Sequence, residues 1–489
     1  MTFLLRPEEK NLLKTIWLFA KKKKVKLYLV GGMLRDIFLN RDKENPDIDF
    51  CLKNGAINFA RRLTKELKSG FVVLDKEHGA ARLVNKIRDK TYTLDFTDFR
   101  GKTLDEDLLH RDFTINAIAL ELEKVFTPPC ARGAGFRRPN LDDSLIDPYR
   151  GREDLKHKLI KIVNKKAFDE DPLRILRAFS FACVFDFKID KETLRLVKLK
   201  KNKLSHVSFE RIRDEIFKIL DSPRAFDYFL LLDKLKILKI IFPEIEMMRN
   251  VNQGPYHHLD VWEHTLETIK QLEGLIGELK NNQEIQDYLK EIISPERRRR
   301  ALIKLGALLH DIGKPKARRR KKGKIIFHGH ERVALEIIED VTQRLRLSND
   351  ELNSLKKIVF CHLRPGYLAD NEVISNRAKF RFFRDTANEA ISILLISIAD
   401  QRSTKGRLTT KESRIRHEKA VSGLIKEYFR RKKEKKPSRL INGNDLIRKF
   451  KLEPSPLIGK ILREVEELQA IGRIKTKSEA LKIAARFIG

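Results

Sequence analysis

Two aspartates near the start of the chain, Asp47 and Asp49, are separated by a single residue in a short apolar segment. Side chains two residues apart in a strand point to the same side, so both carboxylates would face one ligand. Carboxylates are the ligands that Mg²⁺ prefers, and Mg²⁺ held in this way orients a triphosphate for transfer chemistry. The pair predicts a magnesium-dependent nucleotide site, although each aspartate alone also suits a solvated strand edge.

An anion-binding turn is predicted just upstream of this pair. Leu27–Val30 is an apolar segment typical of a buried strand, Gly31 and Gly32 follow it, and Met33–Asn40 has helical spacing. Paired glycines let the backbone approach a phosphate closely, because no Cβ stands in the way. Amides at the start of the helix, together with the helix dipole, favour negative charge there. By themselves the glycines also fit an ordinary tight turn.

A third acidic residue, Asp95, lies in the alternating segment Tyr92–Phe96, which predicts another strand. Further strands are predicted at Phe71–Leu74 and Ala81–Val84. A carboxylate beside an attacking hydroxyl can serve as metal ligand and proton acceptor. Asp95 is therefore a candidate catalytic residue, and an ordinary strand aspartate is the alternative.

The succession of strand, glycine pair, helix and paired aspartates resembles the head of polymerase-beta-like nucleotidyltransferases. Within them it is similar to the class II (bacterial-type) CCA-adding enzymes and poly(A) polymerases. The segment His110–Ala117 resembles their Arg-Arg-Asp-Phe-Thr-Ile-Asn-Ala motif, with His110 in place of the first arginine. The resemblance implies that Arg111, Asp112 and Asn116 belong to a motif that contacts the ribose and the triphosphate. Arg is suited to phosphate oxygens and Asp to a ribose hydroxyl.

A second motif of the same family is found in Phe168–Ala178, which resembles its Glu-Asp-x-x-Arg pattern. Asp171 can cap a helix that has Pro172 in its first turn, and Arg174 lies on the same helix face as Asp171. From the residues alone this is a capped helix with an ion pair. The resemblance implies instead that the pair reads the base edge of CTP or ATP, as Arg and Asp do in base recognition elsewhere.

The candidate residues of the head form one set. The catalytic candidates, with Mg²⁺ held by the first two, are Asp47, Asp49 and Asp95. The nucleotide-binding candidates implied by the resemblance are Gly31, Gly32, Arg35, Arg111, Asp112, Asn116, Glu170, Asp171, Arg174 and Arg177.

Imidazoles and carboxylates recur in the second half of the chain, at spacings that place them on successive helices. Such side chains can converge on one or two divalent metals. Their order resembles the HD phosphohydrolase superfamily, which implies a divalent transition metal (Ni, Mn, Fe or Zn). A helical scaffold retained without turnover is the alternative. The candidate ligands are His264, His310, Asp311, His328, His330, His362 and Asp400.

The composition indicates a polyanionic partner and no membrane. Lys and Arg number 103 against 69 Asp and Glu, a formal net charge of +34. No apolar run is long enough to span a bilayer, and no signal-peptide pattern opens the chain. The four cysteines, without a CxxC pair, fit a reducing cytoplasm; they are Cys51, Cys130, Cys183 and Cys361. Three basic runs are solvated faces or RNA-backbone contacts: Arg297–Arg300, Arg318–Lys322 and Arg430–Lys436.

The expected fold is α+β, with a small nucleotidyltransferase head containing a mixed sheet, followed by all-helical neck, HD and tail domains. The predicted domains are a head at 1–150, a neck for nucleotide selection and RNA binding at 151–240, an HD-like domain at 241–405 and a tRNA-binding tail at 406–489.

The resemblance implies template-independent addition of CMP and/or AMP, from CTP and ATP, to the 3′ end of tRNA. Addition of CC alone, addition of A alone and poly(A) synthesis are sibling alternatives. Only residues 101–111 separate Arg100 from Asp112, and family members that add only CC tend to lack a longer loop near this place. An HD-type hydrolase with a nucleotide-binding head, and a non-catalytic RNA-binding protein, are the alternatives of other classes.

Overall fold

The structure is a computed structural model that describes residues 5–41, 45–126, 144–295, 297–434 and 438–488. The chain divides into two compact units, Met1–Ser208 and Phe209–Gly489. The division into four domains stays a prediction. Cys130 and the other residues of the predicted loop from 127 to 143 lie outside the described residues.

The first unit combines a mixed sheet with short helices. Its elements, in chain order, are α1 (Pro7–Lys22), β1 (Tyr28–Val30), α2 (Gly32–Phe38), β2 (Asp47–Leu52), α3 (Ala56–Leu67), β3 (Gly70–Asp75), β4 (Ala80–Ile87), β5 (Lys90–Asp98), α4 (Leu104–Leu109), β6 (Ala119–Glu121), α5 (Leu122–Phe126), β7 (Leu145–Ile146), α6 (Gly151–Lys156), β8 (Leu159–Ile160), α7 (Ala167–Glu170), α8 (Arg174–Phe185), β9 (Lys188–Ile189) and α9 (Lys191–Lys200).

Strand order in the main sheet is β3-β4-β5-β2-β1-β6-β7, with β2 and β5 parallel and the other neighbours antiparallel. Alternation along β2 and β5 decides which face is buried. Phe50 and Phe96 stack with their ring centroids 4.8 Å apart, and Phe59 of α3 packs against Phe96. The residues between these apolar positions, the aspartates among them, lie on the opposite face.

The second unit is mainly helical. Its elements are α10 (Phe209–Asp221), α11 (Ala225–Lys234), α12 (Leu238–Ile241), α13 (Val261–Glu278), α14 (Gln283–Lys290), β10 (Ile292–Ser294), β11 (Arg297–Arg298), α15 (Arg299–Leu309), α16 (Lys314–Ala317), β12 (Arg319–Lys321), β13 (Lys324–Ile326), α17 (His330–Arg344), α18 (Asn349–Cys361), α19 (Arg364–Ala369), α20 (Asn376–Thr386), α21 (Ala390–Ser403), α22 (Lys411–Lys433), α23 (Gly443–Phe450), α24 (Pro456–Ala470) and α25 (Lys477–Ala485).

The predicted α+β class, with a mixed sheet in the head and a helical remainder, is confirmed. The expectation that everything after the head is helical is wrong in one detail. Three two-stranded ribbons, β8–β9, β10–β11 and β12–β13, interrupt the helices. Each strand is only two or three residues long, which is too short for a period-2 pattern to be recognised.

The tail helices α23 to α25 have an apolar core of their own, which includes Leu446 and Ile461. Glu467 of α24 is almost fully buried and accepts hydrogen bonds from Arg377 and Arg381 of α20. This ion-pair cluster holds the tail against α20.

The described helices include none with the length and apolar composition that a bilayer crossing requires. Cys51, Cys183 and Cys361 are buried and free of disulfides.

Candidate active site and metal centre

The acidic candidates of the head lie on one face of the sheet. Asp49 of β2 and Asp95 of β5 are direct partners in the parallel register, and Asp47 pairs with Thr93. Between them Ile48 and the alternate residues of β5 are buried on the other face. Strand alternation therefore presents all three carboxylates on the same side, beside the turn that follows β1.

Asp95 is held by an arginine to which no sequence motif points. Arg82 of β4 is the antiparallel partner of Asp95, and its Nε and Nη2 each donate to one carboxylate oxygen at 2.8 Å. These hydrogen bonds, and the charges of Asp95, Asp47 and Asp49, raise the pKa of Arg82. Arg82 is thus the counter-ion of the acidic face.

Gly31 leaves the space that a ligand beside Asp49 would need. It has φ of +74°, a conformation that favours glycine, and a Cβ at this position would lie 2.9 Å from Asp49 Oδ2 and 3.2 Å from Arg111 Nη1. The helix α2 begins at the next residue, Gly32. The glycine pair, the carboxylate and the guanidinium are therefore immediate neighbours.

The Arg111 guanidinium lies between acidic groups and retains hydrogen-bonding capacity. Its Nη2 donates to Asp107 Oδ2 at 3.3 Å, whereas its buried Nε has no hydrogen-bond partner among the described residues. Burial opposes the charged form, but Asp107 and Asp49 raise the pKa of Arg111. A fully charged arginine with an unused donor next to Gly31 suits phosphate oxygens.

Four of the predicted nucleotide-binding residues form one buried network. Arg35 donates to both oxygens of Asp36, at 2.9 to 3.1 Å, and to Asn116 Oδ1 at 2.7 Å. The Asn116 amide then donates to Asp112 Oδ1 at 2.9 Å. Arg177 donates twice to Asp112 Oδ2, at 2.9 and 2.7 Å. Burial opposes ionisation of Asp112, but Arg177 and Asn116 lower its pKa.

The contacts of Arg35 indicate a role other than direct nucleotide binding. Arg35 is 5% exposed and also stacks on Phe185 at 4.5 Å, so its guanidinium is engaged inside the protein. Its position is that of a residue that orients Asn116, which in turn contacts Asp112, whereas Arg111 is the residue of the set that lies next to Gly31.

The base-reading candidates are tied to the head. Arg174 is buried, and its guanidinium donates to the carbonyl of His110 at 2.6 Å, to that of Ala167 and to Glu170 Oε2, both at 3.2 Å. Asp171 accepts the Leu173 amide at 3.2 Å. Arg174 forms an ion pair with Glu170, the residue that precedes Asp171, and α8 begins at Arg174.

The residues of the head fit a divalent cation and a triphosphate. Two carboxylates and a third nearby provide oxygen ligands, Gly31 keeps a cradle open that a Cβ would fill, and Arg111 has an unused buried donor. In the described part of the chain, Asp47, Asp49 and Asp95 do not reach the 4.8 Å mutual spacing of a preformed ligand group. Asp95 is instead held in an ion pair with Arg82.

The second half of the chain brings six of its seven candidate ligands together. They come from five places: α13, the turn after α15, the start of α17, the turn after α18, and α21. Two groups have ligand atoms within 4.8 Å of one another. One group is His264, His310 and Asp400, and the other is Asp311, His330 and His362.

Asp311 is the centre of this arrangement. Its Oδ2 lies 3.1 Å from His310 Nε2 and 3.7 Å from His264 Nε2. Its Oδ1 lies 3.3 Å from His330 Nε2 and 3.8 Å from His362 Nε2. Each carboxylate oxygen thus faces one of the two groups, which is the position of a bridging ligand. The close approach of α17 depends on Gly313, because a Cβ there would lie 2.1 Å from the His330 carbonyl oxygen.

The imidazoles are oriented for metal binding. The Nδ1 atoms of His310, His330 and His362 lie 2.8, 2.8 and 2.5 Å from backbone carbonyl oxygens, so Nδ1–H donates and Nε2 faces inward. Burial lowers the pKa of His362 to about 3, and neutral imidazole is the form that binds metals. Burial opposes the ionisation of Asp311, but His310 and Lys314 keep its pKa well below the usual range.

One predicted ligand lies apart from the others, and two residues were missed. His328 is exposed and belongs to neither group. Lys314 contacts Asp311 Oδ2 at 2.6 Å and donates to Gln253 at 2.7 Å. His257 lies edge-on to His264 with the ring centroids 4.8 Å apart. The only sequence signal for Lys314 is its position just after the His310-Asp311 turn. A lysine is not an ordinary metal ligand, so a search for ligands does not select it.

The three basic runs differ in what they contact. Arg297 is paired with the buried Glu351 at 2.6 Å, and Arg299 with the buried Glu389 at 2.5 Å, so this run is largely structural. Residues 318–322 begin just before β12 and continue into the turn of the β12–β13 ribbon, and all five are exposed. Arg430 and Arg431 pair with Glu427, and residues 435 and 436 lie outside the described residues. The ribbon is therefore the run with the most available charge.

The chain matches four families over successive segments. They are the Poly A polymerase head domain at residues 27–161, a binding site of polymerase A for RNA and SrmB at 186–248, the HD domain at 261–405 and a tRNA nucleotidyltransferase domain 2 at 408–485.

Curated relatives match over most of their length. The A-adding tRNA nucleotidyltransferase of Deinococcus radiodurans is 28% identical over 94% of this chain and 95% of its own. The CC-adding tRNA nucleotidyltransferase of Thermus thermophilus is 28% identical over 92% of this chain and 91% of its own. The Multifunctional CCA protein of Legionella pneumophila (strain Lens) is 30% identical over 69% of this chain and 75% of its own.

Solved structures share the fold. The Thermotoga maritima CCA-adding enzyme complexed with tRNA has a TM-score of 0.62 at 23% identity, covering 99% of this chain and 97% of its own. A CCA-adding enzyme in complex with ATP has a TM-score of 0.64, also at 23% identity and with the same coverage.

Proposed function

Since this chain belongs to the class II tRNA nucleotidyltransferase family, with an HD domain, we propose that its head transfers nucleotides from CTP or ATP to the 3′ end of tRNA. The observation that carries the proposal is the shared face of Asp47, Asp49 and Asp95 beside Gly31 and Arg111. The three buried cysteines in thiol form fit the cytoplasm, where tRNA and both nucleotides are available.

Asp47 and Asp49 are the residues that would hold Mg²⁺, which supplies charge neutralisation at the triphosphate when it is bound. Arg111 places a charged donor at the phosphates, next to the backbone of Gly31. Asp95, oriented by Arg82, lies where it can accept the proton of the attacking tRNA hydroxyl. The chain's own contribution is thus to position groups and to supply fixed charge.

Arg174 and Asp171 are proposed to select the base. Arg174 is fixed to the carbonyl of His110, directly beside the Arg111 motif, and this contact links the base-reading helix to the triphosphate site. An arginine presents donors and an aspartate presents acceptors, so the pair can distinguish the edge of a base.

We further propose that addition stops after the two C residues. The helix α4 and its flanking turns occupy residues 100–110, between β5 and Arg111, and leave no separate loop of the kind implied for enzymes that complete the CCA end. One relative that covers nine-tenths of the chain is named as CC-adding, and another is named as A-adding. The length of the reaction product distinguishes these activities.

The test is product length on a tRNA that ends at the discriminator base, with Mg²⁺ and CTP alone, ATP alone, or both. We expect two added nucleotides with CTP and no further addition with ATP. A third nucleotide when both are present would overturn the CC-only proposal, and a single A on tRNA ending in CC would indicate the A-adding activity. Absence of extension both on this tRNA and on tRNA ending in CC would overturn the transferase proposal.

A second function is favoured by the metal centre of the second unit. Two ligand groups that share Asp311 suit a binuclear phosphate-ester hydrolase, in which the two ions stabilise the attacking and the leaving oxygen. The ligand set of imidazole and carboxylate favours a transition metal such as Ni, Mn, Fe or Zn.

Metal analysis of the purified protein, followed by phosphate release from cyclic nucleotides with Ni²⁺ or Mn²⁺, tests this second function. We expect retained metal and slow hydrolysis, both lost in His330→Ala. Metal without hydrolysis would indicate a structural centre instead.

A further inference from the structure

His110 is the residue of the Arg111 motif that departs from the family pattern, and its side chain lies against the segment that carries the base-reading candidates. Its Nδ1 lies 3.2 Å from Oε1 of Glu170, the last residue of α7. A carboxylate only accepts hydrogen bonds, so the Nδ1–H of His110 is the donor. The imidazole that follows α4 is therefore bound to the end of α7.

Glu170 connects His110 to Arg174 through its two carboxylate oxygens. Oε1 accepts from the imidazole, and Oε2 accepts from Nη1 of Arg174 at 3.2 Å. The Arg174 side chain is only 7% exposed, whereas that of Glu170 is 28% exposed. A charge-assisted hydrogen bond to a buried guanidinium is less screened than a surface pair, so Glu170 restrains Arg174.

The backbone of His110 holds the same guanidinium from a second direction. Its carbonyl oxygen accepts from Nη2 of Arg174 at 2.6 Å, and the carbonyl of Ala167 accepts from Nη1 at 3.2 Å. A guanidinium has five N–H groups, so these contacts and the one with Glu170 leave donors for a ligand. The direction of the remaining donors follows from the contacts with His110 and Glu170.

A fixed direction matters because the bases differ in what their edges present. Cytosine N3 and adenine N1 accept hydrogen bonds, whereas uracil N3 and guanine N1 carry hydrogens and donate them. A guanidinium only donates, so a fixed Arg174 meets an acceptor on CTP or ATP and a donor on UTP or GTP. A guanidinium that is free to turn would avoid the unfavourable contact, and discrimination would fall.

We propose that His110 is a positioning residue for nucleotide selection: through Glu170 it fixes the orientation of Arg174, and so sets the preference for CTP and ATP over UTP and GTP. The inference rests on the proposed transferase function and deepens it. His110 acts through Glu170 and not on the nucleotide itself, so the two side chains behave as one unit.

Equilibrium binding of CTP and UTP to the full-length protein, with Mg²⁺ and without tRNA, tests the proposal. We expect His110→Ala to lower the ratio of the UTP to the CTP dissociation constant about 10-fold, the scale of one charge-assisted hydrogen bond. His110→Asn keeps an N–H donor near the position of Nδ1 and should retain most of the ratio. The exposed His157, just after α6, is the matched control, and His157→Ala should have no effect.

A double-mutant cycle shows whether the two side chains act together. Glu170→Ala should lower the ratio at least as much as His110→Ala, and the double variant should be no worse than Glu170→Ala alone. Additive losses would show that His110 does not act through Glu170 and would overturn the inference. An unchanged ratio in His110→Ala would overturn it as well.

Extension of tRNA lacking its 3′ end is then measured on the same variants with CTP or UTP. We expect more UMP relative to CMP incorporation in His110→Ala, as a difference in KM rather than in kcat. A binding ratio that depends on His110, without any extension, would support the inference and overturn the transferase. Extension with a ratio independent of His110 would do the reverse, and absence of nucleotide binding by the unaltered protein would overturn both.

Discussion

At the scale of single residues, the head balances charge around a space that a nucleotide can enter. Asp49 and Arg111 both lie close to the position that a Cβ of Gly31 would take, and Arg82 forms an ion pair with Asp95 on the neighbouring strand. Without such counter-ions, three carboxylates on one face would repel one another. The same side chains thus balance the charge of the carboxylates that would bind a metal.

The change Asp49→Asn preserves shape and removes one charge from this set. We expect CMP incorporation into tRNA lacking its 3′ end to fall at least about 100-fold, because a fixed charge at the reacting phosphates is lost. The steady-state rate of CMP incorporation from labelled CTP measures this decrease. Asp89→Asn, at the exposed turn between β4 and β5, is the matched control, and activity near that of the control would remove the metal-binding role.

Arg82 is expected to act through Asp95. Arg82→Gln should lower kcat by about 10- to 100-fold, the usual cost of losing a partner that orients a ligand, while KM for CTP changes little. Arg82→Lys should restore part of the rate, because it keeps the charge but not the paired donors. Lys86→Gln, an exposed residue of the same strand, is the control. A change in KM with kcat preserved would show instead that Arg82 binds the nucleotide.

At the scale of elements, the turn between β1 and α2 combines backbone strain with close approach. Gly31 and Gly55 both have positive φ and both precede a helix, but only Gly31 has side-chain atoms where a Cβ would lie. The two positions therefore separate the cost of the conformation from the cost of filling the site.

Gly55→Ala should destabilise the fold by about 1–2 kcal/mol, because Gly55 is in the left-handed helical conformation. Gly31→Ala should destabilise it by about 1–3 kcal/mol, because its φ of 74° with ψ of −134° is a conformation that residues other than glycine rarely adopt. Only Gly31→Ala should also abolish nucleotide incorporation, since its Cβ would meet Asp49 at 2.9 Å. Thermal unfolding and CTP incorporation, measured on both variants, test this. Equal activity of the two would mean that the space beside Gly31 is not used.

The elements also explain which parts of the site the sequence could predict. Side-chain alternation predicted that Asp47 and Asp49 share a face, because period 2 is local. The pairing of Arg82 with Asp95 depends on the register of the β4–β5 hairpin, set by its turn at residues 88 and 89. That turn has no Asn-Gly or Asp-Gly signal, so the register could not be inferred.

The arrangement of the metal centre could also be predicted only in part, because it depends on contacts between residues far apart in the chain. The order of histidines and aspartates was sufficient to predict that they converge. The central position of Asp311, and the exclusion of His328, arise from packing of α17 against the turn at Gly313, which no local pattern encodes. Likewise, Arg297 and Arg299 read as a basic run, but they pair with glutamates far along the chain.

At the scale of the whole molecule, the basic residues that give the chain its net charge of +34 fall into two groups. Some form structural ion pairs, and others lie in exposed clusters. The tail contact at Glu467 and the Arg297–Arg300 run use arginines internally. The charges of the β12–β13 ribbon remain exposed, so they can act on a polyanion by counterion release.

Replacing Arg318, Arg320 and Lys324 of this ribbon by Gln should weaken tRNA binding uniformly and make its salt dependence shallower. Each lost phosphate contact is expected to reduce the slope of log affinity against log salt by about 1. Filter binding of tRNA between 50 and 200 mM salt measures the slope, with Lys280→Gln and Lys290→Gln as an equally exposed control. Because the ribbon residues make few internal contacts, thermal stability should not change. An unchanged slope would place the RNA-binding charge elsewhere on the chain.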